Sequence, residues 1–307
     1  MRIHFLQTMW SDIILLQGER EAALIDTGTK EQFPMIMDYL ENLGIRELSF
    51  ILLTHFHRDH YGSISDLLDH VKVNAVYMKE YSGLDCMTSA GKPADDAYRA
   101  GEMEKYRELC EKITEKSRLL HCENTDQISF EGHPIRLFYT GNTMRTIYED
   151  AAHPETYHRY ALSENQNSLG ALMEVNGVRV FFGGDLHDIP STHPLADCVN
   201  TRIAHQVGGP VDIYKAPHHG TNGTGRLEAL EIYRPKVVII TNGREYIPPE
   251  SEIFQYLAQV SPDAKIFMTE KNHVVVTIAD SGDIRTNREA ESWISLSEPR
   301  CCWGQRE

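Results

Sequence analysis

The sequence predicts an α/β fold in which helices pack outside a sheet, built as two similar halves of one domain. Three observations carry this. Apolar runs of strand length alternate with segments whose apolar residues recur at helical spacing, and the alternation returns after a long polar connection near the middle of the chain. A dense cluster of histidines and one aspartate sits where one apolar run gives way to a helix.

Taken in order, Ile3 and Phe5, then Ile13-Ile14-Leu15-Leu16, then Ala23-Leu24-Ile25 read as short strands parted by Met9-Trp10-Ser11 and by the turn Gly18-Glu19-Arg20. A meander opens the chain. Asp26 closes its third strand, either as a loop-holding acceptor or as a group behind a metal site. Phe33, Ile36, Met37, Leu40 and Leu43 share one helical face, with Pro34 near the start and Gly44 at the end. Phe50-Ile51-Leu52-Leu53 is a buried strand, a helix follows Ser63, and Val73 to Tyr77 is the next strand. Residues 80–118 form a helical insertion, with Met103, Tyr106, Cys110 and Ile113 on one face, expected to cover the sheet or overhang a site.

Strands at Ile128 to Phe130 and Ile135 to Tyr139 open the second half, and residues 140–166 make a polar insertion long enough to read as a lid or as a surface loop. Ser168 to Val175 and Val178 to Phe182 form a hairpin turned at Asn176-Gly177. Strands follow at Val211 to Ala216, Lys236 to Thr241 and Ala264 to Met268, with helices from Leu227 and over Ile253 to Val260. Val274 to Ile278 is expected to close the second sheet. The domain reading covers residues 1–285, leaving 286–307 as a tail.

The cluster is His55-Phe56-His57-Arg58-Asp59-His60. On an extended segment His55 and His57 point the same way, while Asp59 and His60 curl to a second point nearby. This suits two cations roughly 3.5–4 Å apart sharing one water. Imidazole with carboxylate fits zinc, with manganese or iron as alternatives. The plain alternative is a histidine-rich surface loop.

These residues resemble the His-x-His-x-Asp-His signature of the metallo-β-lactamase superfamily. Ala22 to Gly28 is similar to its Asp-Thr-Gly strand end, Phe181-Phe182-Gly183-Gly184-Asp185 to its Gly-Asp motif, and Lys215-Ala216-Pro217-His218-His219-Gly220 to its late histidine motif. With Glu164-Asn165-Gln166-Asn167-Ser168 and Arg234 to Ile240, the chain further resembles the hydrolase domain of bacterial competence DNA-uptake channel proteins. The resemblance implies a four-layer αββα sandwich of two mixed sheets packed face to face with helices outside.

It also implies a metal-dependent hydrolase with two divalent ions, held by His55, His57, Asp59, His60, Asp185 and His218. Asp185 bridges them in that pattern. Asp59 orients the nucleophile, a bridging hydroxide, and His219 orients substrate or donates a proton. Asn167, Ser168 and Thr221 are the expected substrate contacts, with an ordinary helix lead-in as the alternative for Thr221, and Asp26 is expected behind the metals. The segment 164–168 offers no histidine, so the first site is poor in ligands and manganese becomes acceptable beside zinc. The function implied is a phosphodiesterase or nuclease acting on a short nucleic acid or nucleotide. A lactonase or thioester hydrolase is the alternative, and a non-catalytic metal- or nucleotide-binding module the second.

Composition sets bounds on these readings. A net charge of −15 argues against non-specific grip on a long polyanion, although a metal-centred pocket still offers phosphate a positive point. No run of about 18 apolar residues spans a membrane. The first residues read as a strand and not as a signal peptide, and the 6 cysteines form no Cys-x-x-Cys pair. Reduced thiols and a cytoplasmic location are the expectation. Cys301-Cys302 is a remote candidate for metal.

Overall fold

Strands β1 (Arg2–Phe5), β2 (Ile13–Gln17) and β3 (Ala22–Thr27) pair antiparallel in the order they leave the chain, because short polar turns join them. The structure, a computed structural model, describes residues 1–81, 83, 85, 88, 94–139, 164–186, 188, 199–221, 223, 225–294 and 296. The amphipathic stretch after β3 is α1 (Phe33–Asn42), with Pro34 in its first turn, where a missing N–H leaves no bond unmade. It carries the chain back so that β5 (Phe50–Leu53) lies parallel to β3. The helices α2 (Arg58–Tyr61) and α3 (Ile64–His70) then lead to β7 (Ala75–Met78), parallel to β5. Two-residue strands β4 (Glu47–Leu48) and β6 (Lys72–Val73) pair alongside.

The described part of the insertion contains one long helix, α4 (Asp96–Lys116), capped by Asp95, whose carboxylate accepts the Tyr98 N–H at 2.8 Å. Tyr106, Leu109 and Ile113 bury its inner face against the first sheet, each worth about 2 kcal/mol in apolar burial. After it, β8 (Arg118–His121) adds an edge strand to that sheet.

The second sheet takes β9 (Gln127–Phe130), β10 (His133–Phe138), β11 (Gly170–Val175) and β12 (Val178–Phe182) as antiparallel neighbours. It continues in parallel through β13 (Ile213–Lys215), β14 (Val237–Ile240) and β15 (Lys265–Met268). Helices α5 (Val199–Val207), α6 (Leu227–Tyr233) and α7 (Glu252–Val260) cover its outer face through Ile203, Leu230 and Leu257. The helix α5 has no counterpart in the sequence reading.

One expectation is corrected. The strand Val274–Ile278, β16, does not close the second sheet. It pairs antiparallel with β1 in the first, Arg2 facing Thr277 and Phe5 facing Val274, and β17 (Ile284–Thr286) extends that edge. The reason is burial on both sides: the open edge of β1 would expose unpaired backbone, and β16 covers it. The sheets therefore run β17-β16-β1-β2-β3-β5-β7-β8 and β15-β14-β13-β12-β11-β10-β9. Phe5, Leu52, Phe130, Phe182 and Phe267 fill the space between them, so the layers are helix, sheet, sheet, helix. Among the described residues no helix is long and apolar enough to cross a membrane, and Cys110 and Cys122 are free thiols. Residues 140–163 and the paired Cys301-Cys302 lie outside the described residues.

Candidate metal centre

The site residues leave the ends of strands from both sheets. Thr54 and His55 follow β5, and the turn at His57 starts α2, which carries Asp59 and His60 on its single turn. Asp185 follows β12 through Gly183-Gly184, and His218 and His219 follow β13. Parallel strands deliver their carboxyl ends to one edge, where a crevice forms. Gly184 is needed where the two sheets close: its φ is +50°, and a Cβ there would stand 3.0 Å from Thr54 Cβ.

Asp185 Oδ2 is the centre of the cluster. It lies 3.2 Å from His60 Nε2, 3.5 Å from His219 Nε2 and 3.9 Å from His55 Nε2. Asp59 Oδ2 is 3.4 Å from His219 Nε2 and 3.6 Å from His60 Nε2. Asp59, His60, Asp185 and His219 each offer one ligand atom, all within 4.8 Å of one another. His55 Nε2 also lies 3.1 Å from His57 Nδ1, and the His55 and His60 rings are 4.1 Å apart.

The far nitrogens settle which ring atoms face inward. His60 Nδ1 lies 2.8 Å from Asp26 Oδ2, and a carboxylate only accepts, so Nδ1 holds a proton and Nε2 faces the centre. His219 Nδ1 lies 3.2 Å from Asp12 Oδ1, which also accepts the Thr241 hydroxyl at 2.6 Å. Thr54 donates its hydroxyl to Asp26 at 2.8 Å, leaving its oxygen to accept from His55 Nδ1 at 3.1 Å. Each of these three rings is held from behind with Nε2 presented to the centre, as metal-binding histidines require. His57 turns the other way, Nδ1 inward, with Nε2 3.8 Å from Asp85 Oδ1.

Charge points to the same centre. Burial alone would weaken the His60 proton, but Asp185, Asp26 and Asp59 outweigh it and raise its pKa well above the usual imidazole value. His219 is likewise raised to about 10, its burial overcome by Asp185 and Asp12. Burial would raise Asp185, yet His219, His60 and His218 hold it well below the carboxylate range. His55, set deep between His60 and His57, is pushed well below by burial. Two atoms of the cluster remain orphaned: His60 Nε2 and Asp185 Oδ1 are buried without a hydrogen bond. Buried polar atoms of this kind are costly unless something binds them, and neutral imidazole with carboxylate is the donor set of zinc and manganese. The residues present fit divalent metal.

The sequence-derived residues fall into two groups. His55, His57, Asp59, His60 and Asp185 come together as described, with Asp26 directly behind His60 and Thr54. His218 sits further out: its Nε2 is 3.9 Å from Asp185 and 3.2 Å from Asn165 Nδ2, and its Nδ1 meets the Thr221 hydroxyl at 2.8 Å. The buried neighbour His219 stands closer to the centre. Asn167 and Ser168 are buried behind the site, the Ser168 hydroxyl accepting the Asp185 N–H at 3.1 Å. Asn165 and His218, by contrast, line a cavity of about 770 Å³ that opens over Asp59 and Asp185. Its other walls include Lys30, Arg58, Tyr61 and, from α4, Tyr98 and Glu102, so the inserted helix both covers the sheet and overhangs the site.

Sequence reasoning missed Asp12 and its partner Lys215. Both are fully buried and ion-paired, and Lys215 also donates to the Gly184 carbonyl at 3.0 Å. A lysine within an apolar strand was the available signal for one. Nothing near Asp12 announced the other.

Residues 11–116 match the family model described as Metallo-beta-lactamase superfamily, and two large mixed sheets face to face with helices outside are the arrangement of metallo-beta-lactamase fold proteins. The chain is similar to ComE operon protein 3 of Bacillus subtilis (strain 168), 23% identical over 277 residues, covering 84% of this chain and 30% of that protein. It is also similar to Metallo-beta-lactamase fold-containing protein ST1585 of Sulfurisphaera tokodaii, 27% identical over 136 residues, or 42% of this chain and 48% of that one. The chain thus spans less than half the length of either relative. Among solved structures, the metallo-beta-lactamase fold protein YhfI of Bacillus subtilis shares the fold at a TM-score of 0.53 and 9% identity, covering 93% of this chain and 99% of that chain.

Proposed function

We propose that this chain is a phosphodiesterase that depends on two divalent cations, zinc or manganese, and acts on a nucleotide or short nucleic acid. The observation carrying the reading is the carboxylate at the centre of the cluster: Asp185 Oδ2 lies within 3.9 Å of Nε2 of His55, His60 and His219, with Asp59 beside His60 and His219 and with His57 next to His55. In this assignment His219, not His218, is the late histidine ligand, because it is buried, oriented by Asp12 and nearer the centre.

When bound, a pair of divalent cations supplies positive charge for non-bridging phosphate oxygens and a water of lowered pKa. The chain's residues do the rest. Asp59, its side chain one-third exposed at the cavity floor, accepts a hydrogen bond from the attacking water and holds it in line. His218 and Asn165, adjoining at 3.2 Å on the rim, meet the leaving side. The competence-type resemblance of the segment 164–168 and the Pro-His-His-Gly turn supports the same substrate class.

The acid balance of −15 favours a second reading, hydrolysis of a neutral lactone or thioester. Metal-loaded protein tested on bis-(p-nitrophenyl) phosphate beside a lactone and thioester panel separates the two. Phosphodiester cleavage, abolished in His57→Ala and Asp185→Asn, is the expected result. Turnover of the lactone and thioester panel alone would replace this reading, and stoichiometric metal binding without turnover on either panel would make the chain a binding module.

A further inference from the structure

Resting on the phosphodiesterase reading, we propose that Trp10 and Tyr246 form an aromatic subsite that stacks one unpaired nucleobase of the substrate beside the metal centre. Three large hydrophobic residues are exposed among the described residues: Met9 at 40%, Trp10 at 36% and Tyr246 at 46%. They are not scattered. The Trp10 and Tyr246 rings meet edge to face at 4.9 Å and 74°, and Trp10 packs on His219 at 6.2 Å and 72°. The patch therefore begins where the ligand cluster ends.

Trp10 is held in that position at a cost. Its φ is +62°, a left-handed conformation that bulky side chains rarely adopt and that persists only when the surroundings enforce it. The enforcement is visible on both sides of the loop. Thr8 donates its hydroxyl to the Ser11 carbonyl at 2.7 Å, Ser11 donates to Gln32 Oε1 at 2.9 Å, and the Asp12 N–H reaches the Asp59 carbonyl at 3.2 Å. A rigid, strained loop presents an indole to solvent instead of burying it, and its last bond ties it to a residue of the metal centre. Strain of this kind gathers at ligand clamps.

The geometry selects the occupant. Two rings at a right angle form a corner that takes one planar group, its face on one ring and its edge on the other. An acyl chain would instead call for a closed apolar groove. The net charge of −15 opposes the hold on a phosphate chain, so a nucleic-acid ligand needs a contact that works on an acidic surface, and base stacking is such a contact. Bases within a duplex are already stacked, which restricts the substrate to single strands, frayed ends or nucleotides. Neither Trp10 nor Tyr246 lines the cavity on the α4 side, so the scissile phosphate lies between two distinct walls.

The test compares two esters on the metal-loaded full chain: thymidine 5′-(p-nitrophenyl phosphate), which carries a base, and methyl p-nitrophenyl phosphate, which does not. Wild-type protein should favour the first in kcat/KM. Trp10→Ala and Tyr246→Ala should each shrink that preference by about tenfold, the effect of one lost stacking contact, and Trp10→Phe should keep most of it. Tyr246→Ala reads the same quantity if Trp10→Ala fails to fold. Cleavage of both esters with the preference unchanged in the variants overturns the subsite alone. Cleavage of neither overturns the phosphodiesterase reading and the subsite with it.

Discussion

Replacing Asp12 by asparagine separates the two duties of one buried carboxylate. Oδ1 faces His219 Nδ1 at 3.2 Å and accepts from Thr241, while the other oxygen pairs with Lys215, which is itself fully buried. The amide would keep the shape and lose the charge. Breaking one partner of a buried pair strands the other, so Asp12→Asn should lose about 3–5 kcal/mol of stability through uncompensated Lys215. The ring of His219 loses its anionic acceptor at the same time, which should weaken metal binding about 10–100-fold. The double variant Asp12→Asn/Lys215→Met removes the stranded charge and should recover much of the stability but none of the metal affinity. Urea unfolding gives the first quantity, and competition against a chromophoric chelator the second. If Asp12→Asn changes stability by less than about 1 kcal/mol, or if the double variant binds metal like wild type, this account of Asp12 is wrong.

Three other outcomes are expected. His219→Ala should cost more metal affinity than an outer partner typically does, beyond about 100-fold, while His218→Ala stays below that and lowers mainly kcat; the reverse order would return the ligand role to His218. His4 is buried between Tyr39 Oη at 2.9 Å and Gln17 Oε1 at 3.0 Å, and burial lowers its pKa to about 4. The folded chain binds that proton less well than the unfolded chain, so the effect is absent above pH 6.5 and stability falls as pH drops from there toward 4, by up to about 3 kcal/mol. His4→Gln should flatten that slope in urea titrations at stepped pH, and an unchanged slope would refute it. Chelating the metals should lower the thermal midpoint by roughly 10 °C relative to protein held at about 1,000 times the dissociation constant. A shift under about 1 °C would mean that these residues hold no metal.

Much of the architecture was legible because it is written locally. The spacing of Phe33, Ile36, Leu40 and Leu43 produces α1, the Asn176-Gly177 turn joins β11 to β12, and the apolar run Phe50 to Leu53 becomes a strand buried on both faces. The same holds for the ligand cluster, since His55 to His60 lie within one strand end and one helical turn. Where the reading failed, the contact was remote. The edge of β1 could be covered by any late strand, and only packing chose Val274–Ile278 for it.

By itself, then, the sequence determined the alternation of strands and helices and the density of the histidine cluster, because each depends on residues a few positions apart. Tertiary structure alone decided which of two adjacent histidines turns inward. His218 and His219 both adopt left-handed backbone, φ +45° and +56°, and this kink sends His219 toward Asp12, 207 positions earlier, and leaves His218 at the rim. It also decided that Trp10 stands on the surface beside His219. Side-chain direction at a kink, and partners brought from the far end of the chain, follow from packing, which local periodicity does not encode.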